Sequence, residues 1–189
     1  MALGPFVRDD RYSTVAIAFH WTIALLVLFN LAVGLFHDGL PREWQLMPLH
    51  KAAGITVLVL SLGRLAWRLM HLPPTRATNV APWEHRFALV VHWTLYFLMI
   101  AMPLTGWAMS SVGHDGNPPR PLTWFFLFAI PYLPVSPGMA DFGHEAHEIL
   151  GYLMTALVLL HVAAALRHHL VRRDVTLVRM LPILRPREG

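Results

Sequence analysis

His147-Glu-Ile-Leu-Gly151-Tyr-Leu-Met-Thr-Ala-Leu-Val-Leu-Leu-His161 is a stretch that opens and closes on histidine and is almost wholly apolar between. It lies within an apolar span from about Ala146 to Leu166, close to the roughly 20 residues that a bilayer asks of a helix. On an α-helix, fourteen residues cover about 21 Å and bring the two histidines within roughly 40° of one face. Three similar stretches precede it: Thr14 to Phe36, about Leu49 to Leu69, and Phe87 to Met109. The first and third carry no Asp, Glu, Lys or Arg, and the second holds only Lys51, Arg64 and Arg68. Of the 189 residues, 56% are apolar and 14% charged. An ordinary soluble domain carries about 25% charged residues, so this composition argues against a solvated surface. The expected fold is all-α, an integral membrane four-helix bundle.

A fifth apolar piece, Leu122 to Val135, contains Pro131 and Pro134 and is too short to span. It reads as a short interfacial segment between helices three and four, with Trp124, Phe125, Phe126 and Tyr132 suited to the headgroup level. The first span does not read as a cleaved signal, because it is long, Asp9 and Asp10 precede it, and no small-residue cleavage site follows. The apolar excess argues against disorder. The absence of cysteine removes disulfides, thiolate metal sites and cysteine nucleophiles. No Gly-x-Ser-x-Gly elbow, His-Glu-x-x-His pair or phosphate-binding glycine loop occurs.

The formal charge of +4 is explained by topology. Arg8, Arg11, Arg64, Arg68, Arg76, Arg86, Arg167, Arg172, Arg173, Arg179, Arg185 and Arg187 fall on one side of the spans. Only Arg42, Lys51 and Arg120 fall on the other. By the positive-inside rule both termini are expected in the cytoplasm. The basic charge is then an address and a contact for anionic lipid, and no nucleic-acid partner is expected.

Ionisable groups inside a span are costly and mark function by default. Sorted by depth, His20 and His161 fall at the cytoplasmic third, and His50 and His147 at the outer side. His92 also lies in the cytoplasmic third, while the other seven histidines fall in loops or at interfaces. Two depth-matched pairs fit bis-histidine coordination of haem iron, which takes one axial ligand from each face and leaves an apolar pocket. A porphyrin against a helix also needs a small residue one turn from the ligand. Ala24, Gly54, Gly151 and Ala165 stand four residues after the four paired histidines, whereas Tyr96 follows His92. The competing reading is four packing histidines, since small residues are enriched wherever membrane helices meet.

Arg64 lies 14 residues after His50 and so reaches the depth of the cytoplasmic pair. It could bind a haem propionate bidentately, or it could snorkel to the headgroups with Arg68. Outside, Lys51 is the cation best placed for the other propionates. Three readings stay open for His92: a spare ligand, a hydrogen-bond partner to a quinone carbonyl, or a core histidine bonded to backbone.

In order, these residues resemble the bacterial cytochrome b561 family, part of a group that includes the haem b subunits of nickel–iron hydrogenases. The resemblance runs from about Arg11 to Pro182 and rests on Ala-Phe-His20-Trp21, Leu-His50-Lys-Ala-Ala-Gly54 and Gly-Arg64-Leu-Ala-Trp-Arg68. It continues through Met-Pro103-Leu-Thr-Gly106-Trp, His147-Glu148 and His161-Val-Ala-Ala-Ala-Leu-Arg-His168-His169 to Asp174-Val-Thr-Leu-Val-Arg179-Met-Leu-Pro182. It implies one transmembrane domain over residues 11–182, followed by a short basic cytoplasmic tail, 183–189. It also implies a bacterial inner-membrane protein with two haem b groups, His20 and His161 holding the cytoplasmic one and His50 and His147 the periplasmic one. Electrons would pass between a periplasmic donor, a small molecule such as superoxide or a redox protein, and the quinone pool, with ubiquinone as acceptor.

Two other functions stand beside this one. A haem b membrane anchor for a separate dehydrogenase or hydrogenase would use the same chemistry with a different partner. A His-based proton or metal transporter would want carboxylates along its path. All eleven carboxylates are expected at span ends or in loops, with Glu148 the deepest.

Overall fold

The computed structural model describes residues 12–71, 81–113, 117–119 and 121–181. Arg8, Arg11, Arg76, His114, Arg120, Arg185 and Arg187, which entered the charge and histidine arguments, lie outside the described residues, as does the tail 183–189. Four long helices dominate: α1 (Thr14–Phe36), α2 (Leu46–Met70), α3 (Pro82–Ser110) and α4 (Pro137–Arg167). Their lengths of 23 to 31 residues correspond to about 35–47 Å. All four are long and apolar enough to cross a membrane.

Local chemistry sets their starts. The Ser13 hydroxyl accepts the Ala16 amide at the head of α1, and the Ser136 hydroxyl accepts the Met139 amide at the head of α4. Proline occupies the first turn of α3 and of α4, where a missing N–H has no consequence. α4 begins nine residues before the expected span. His144, expected in a loop, therefore sits on the helix, and Glu145 and Glu148 also lie inside it.

Consecutive helices pack side by side, α1 on α2, α2 on α3 and α3 on α4, and α4 returns to α1. The chain thus runs up and down through a four-helix bundle. Ile23, Val27, Val57, Tyr96, Leu98, Met99 and Met154 fill its centre. Leu25, Val59, Val90, Phe97, Ile149 and Leu159 point outward and are exposed. An apolar exterior around an apolar interior suits hydrocarbon, not water. The end carrying the start of α2 and of α4 is called the upper end below.

At the upper end, β1 (Thr123–Trp124) and β2 (Phe128–Ala129) form a two-stranded antiparallel hairpin inside the expected interfacial segment. Its turn places Phe125 and Phe126 in the left-handed region, at φ 45° and 63°, an uncommon conformation for bulky residues. Trp124 departs from the headgroup role expected of it. Its indole N–H donates to the Thr56 hydroxyl at 3.0 Å, ten residues along α2. A half-buried indole needs an acceptor, and Thr56 supplies one. Leu122 and Ile130 are buried behind the strands, while Phe126, Leu127 and Phe128 stay exposed.

The lower end is tied by charge. The Glu84 carboxylate, in the first turn of α3, accepts from Arg172 at 2.6 Å, Arg167 at 3.4 Å and the Ala81 amide at 3.3 Å. α4 continues into a π-helical turn, His168–Arg172, whose His168 meets Asp174. The Trp21 indole donates to the Met180 carbonyl at 2.7 Å and fastens the last described segment to α1.

Candidate functional site: two layers of paired histidines

α4 carries a histidine at each of two levels, and a different helix meets it at each. At the upper level His50 of α2 faces His147, their ring centroids 6.2 Å apart and their planes at 78°. At the lower level His20 of α1 faces His161 at 6.3 Å and 67°. An imidazole nitrogen binds a first-row metal at about 2.0–2.1 Å and lies about 1.1 Å from its ring centroid, so one metal between two imidazoles separates the centroids by about 6.3 Å. His92 is closer to His161, at 5.3 Å. Those two rings stand about 1 Å too close to hold a metal between them.

The donor set restricts what could sit there. Among the described residues no cluster of three or more His, Cys, Asp or Glu suits a metal ion. Each pair offers a metal only two imidazoles, so a metal there would have to bring its remaining ligands with it. A planar macrocycle does that. Nδ1 of His20 is buried without a hydrogen-bond partner.

Next to the upper pair is a cavity of about 470 Å³, within the range of cofactor sites. Every helix gives it a glycine: Gly34, Gly54, Gly106 and Gly151. A Cβ on Gly54 or Gly151 would meet only Asn30 or Met102 at ordinary contact distances, so both leave the cavity open. On Gly34 it would lie 3.6 Å from Cε1 of His50, and on Gly106 only 3.0 Å from Cε1 of His147. Two glycines therefore back directly onto the histidine rings. Asn30 lies beside the cavity; with its side-chain amide turned over, it donates to the His50 carbonyl at 3.2 Å and accepts the Gly54 amide at 3.1 Å, an orientation that satisfies both of its ends. Lys51 lines the cavity, together with His37, Asp38, His144 and Glu148.

His147 has further partners. Its Nδ1 lies 3.0 Å from the Met102 carbonyl and 3.2 Å from the Thr105 hydroxyl. A carbonyl can only accept, so Nδ1 carries the proton and Nε2 keeps its lone pair. At the lower level Arg64 lies near His20 and His161, with its guanidinium 5.4 Å from the Tyr96 ring centre. Arg68 lies over Trp93 at 5.4 Å and over Tyr96 at 5.7 Å. Two cations held on aromatic faces inside a bundle could meet anionic groups of a ligand.

The expected residues thus fall into two groups, His50, His147, Gly54, Gly151 and Lys51 above, and His20, His161 and Arg64 below. Gly34 and Gly106 were not singled out as site residues. Their signal was the spacing already in use: Gly34 follows His20 by 14 residues, and Gly106 follows His92 by 14. Each helix places one chemically marked residue at each level.

A membrane bundle with histidines paired in its interior is the architecture of a haem b electron-transfer cytochrome of the membrane. The profile of the prokaryotic cytochrome b561 family matches residues 11–182, and the chain belongs to that family. It is 32% identical to cytochrome b561 homolog 2 of Escherichia coli (strain K12), over 91% of this chain and 92% of that protein. It is 31% identical to the probable superoxide oxidase CybB of Yersinia pestis, over 91% of this chain and 96% of that one. Cytochrome b562 of Cereibacter sphaeroides is 26% identical, over 95% and 99% of the two chains. The chain is a multi-pass protein of the bacterial inner membrane.

Proposed function

We propose that this cytochrome carries two haem b groups, one on His20 and His161 and one on His50 and His147, and moves electrons across the membrane to the quinone pool. The reading rests on one observation: both pairs stand at the separation of two imidazoles sharing one metal, 6.3 and 6.2 Å. When bound, haem b supplies one-electron exchange between ferric and ferrous iron. The residues do the rest. His147, protonated at Nδ1, offers the Nε2 lone pair. Gly54 and Gly151 leave room for a flat ring, and Gly106 leaves room for the His147 imidazole. Arg64 would meet propionates below, and Lys51 those above. The apolar walls keep water out, and α4 holds the two levels about 21 Å apart.

The positive-inside bias places both termini, and the lower level, in the cytoplasm. Residues 11–182 work as one unit, with 183–189 a basic tail. The upper level then takes electrons from the periplasmic side, and ubiquinone is the acceptor. Superoxide, named for the Yersinia pestis relative, would meet a cavity whose lining includes Asp38 and Glu148 as well as Lys51, not a cationic funnel. A soluble redox protein is the alternative donor, and the chain would then be the haem b anchor of a separate dehydrogenase or hydrogenase.

The test is haem quantification by the pyridine method on detergent-purified protein, with dithionite-reduced minus oxidised spectra. Two b-type haems per chain are expected. One haem, or none in a folded sample, overturns the reading. Reporter fusions at each terminus test the orientation.

A further inference from the structure

The two ligand pairs are unlike in their surroundings, and the difference centres on Thr105. Its hydroxyl donates to the Met102 carbonyl at 2.9 Å, one turn back on α3. The same oxygen stands 3.2 Å from Nδ1 of His147, which also lies 3.0 Å from that carbonyl. The three groups form a closed triangle in which the imidazole N–H is shared between a carbonyl and a hydroxyl oxygen. A hydroxyl that donates is a better acceptor, so the Thr105–Met102 bond strengthens the one from His147. Gly106 backs the same ring, because any Cβ there would push on the imidazole that Thr105 holds. By contrast, Nδ1 of His20 at the lower level has no such partner.

We infer that Thr105 is a positioning residue for the upper haem: through His147 Nδ1–H it fixes the ring plane and makes the imidazole a stronger donor to the iron. A ligating histidine whose other N–H is hydrogen-bonded is more basic and stabilises the more oxidised metal. The upper haem is therefore held at a lower midpoint potential than a ring without these partners would give it. The His147 ring plane, which stands at 78° to that of His50, would be held with it. The inference rests on the two-haem reading above.

The experiment compares Thr105→Val, Thr105→Ser and the unaltered protein by haem content, redox potentiometry and low-temperature EPR of the oxidised form. In Thr105→Val, one of two midpoints is expected to move upward, with a changed low-spin signal for that haem only. Thr105→Ser, which keeps the hydroxyl, is expected to restore both. An unmoved pair of midpoints, or equal movement of both, overturns the inference while leaving two haems intact. Unaltered protein that holds fewer than two haems overturns the ligation reading instead. If Thr105→Val fails to accumulate, Thr105→Ala with Thr105→Ser as its control gives the same comparison.

Discussion

The rings of His92 and His161 stand 5.3 Å apart, closer than either pair assigned to iron. A metal bond on each side requires about 6.3 Å, so proximity here argues against shared ligation. His92→Ala is expected to leave two haems per chain, and His20→Ala and His161→Ala each to remove the same one. Haem quantification with separate redox midpoints decides it. A haem lost from His92→Ala and kept in His20→Ala would reassign the lower pair.

At the upper level, His50→Ala and His147→Ala should each leave one haem, and that haem should be the one retained in neither His20→Ala nor His161→Ala. Combining His50→Ala with His161→Ala should leave none. Difference spectra of the single and double variants check the partition.

Gly106→Ala tests the backing of His147. The new methyl would stand 3.0 Å from Cε1, and neither a ring held by Met102 nor a helix wall gives way freely. Overpacking of this kind typically destabilises by about 1–3 kcal/mol. Weaker retention of the upper haem is expected, read as faster loss to an apo-globin acceptor, with the lower haem unaffected. Gly34→Ala, at 3.6 Å from His50, should have a smaller effect.

Arg64→Leu removes a cation beside the lower pair. A positive charge near iron favours the reduced form, so the lower midpoint should fall, by an amount on the order of 1–2 kcal/mol for a partly screened charge. The upper midpoint should stay where it is. An unmoved lower midpoint would show that Arg64 serves the headgroups instead.

Below the bundle, Asp174 sets an acid limit. Burial alone would raise its carboxyl, but hydrogen bonds from Thr176 and His168 outweigh that, and its pKa lies below the ordinary 3.8. A depressed carboxylate stabilises the folded form above its unfolded pKa, and this contribution is lost as pH falls through the folded value. Thermal stability in detergent should therefore decline below about pH 4, and Asp174→Asn should flatten that part of the profile.

The spans and the histidine levels were legible because hydropathy and the 3.6-residue period act locally, and a 14-residue spacing survives any arrangement of neighbours. α1 ends where its apolar run ends, at Phe36. Packing partners were less legible. That Trp124 would turn inward to Thr56, 68 residues away, depends on where a hairpin docks. His144 was hidden by charged neighbours that made the first turns of α4 look like a loop. The role of Gly106 needed the ring of His147 to be placed first. Thr105 was invisible for the same reason, since a threonine in an apolar helix usually bonds its own backbone.

A single unbroken helix supplies one histidine to each level, which constrains the gene as well as the protein. One codon inserted between His147 and His161 would rotate the far end of α4 by about 100° and shift it by 1.5 Å. One histidine would then face lipid while the other stayed in place, so even an in-frame change there would not be silent. Insertions and deletions in this lineage should accumulate in the connections, such as residues 111–136, and be purged from the fourteen-residue interval.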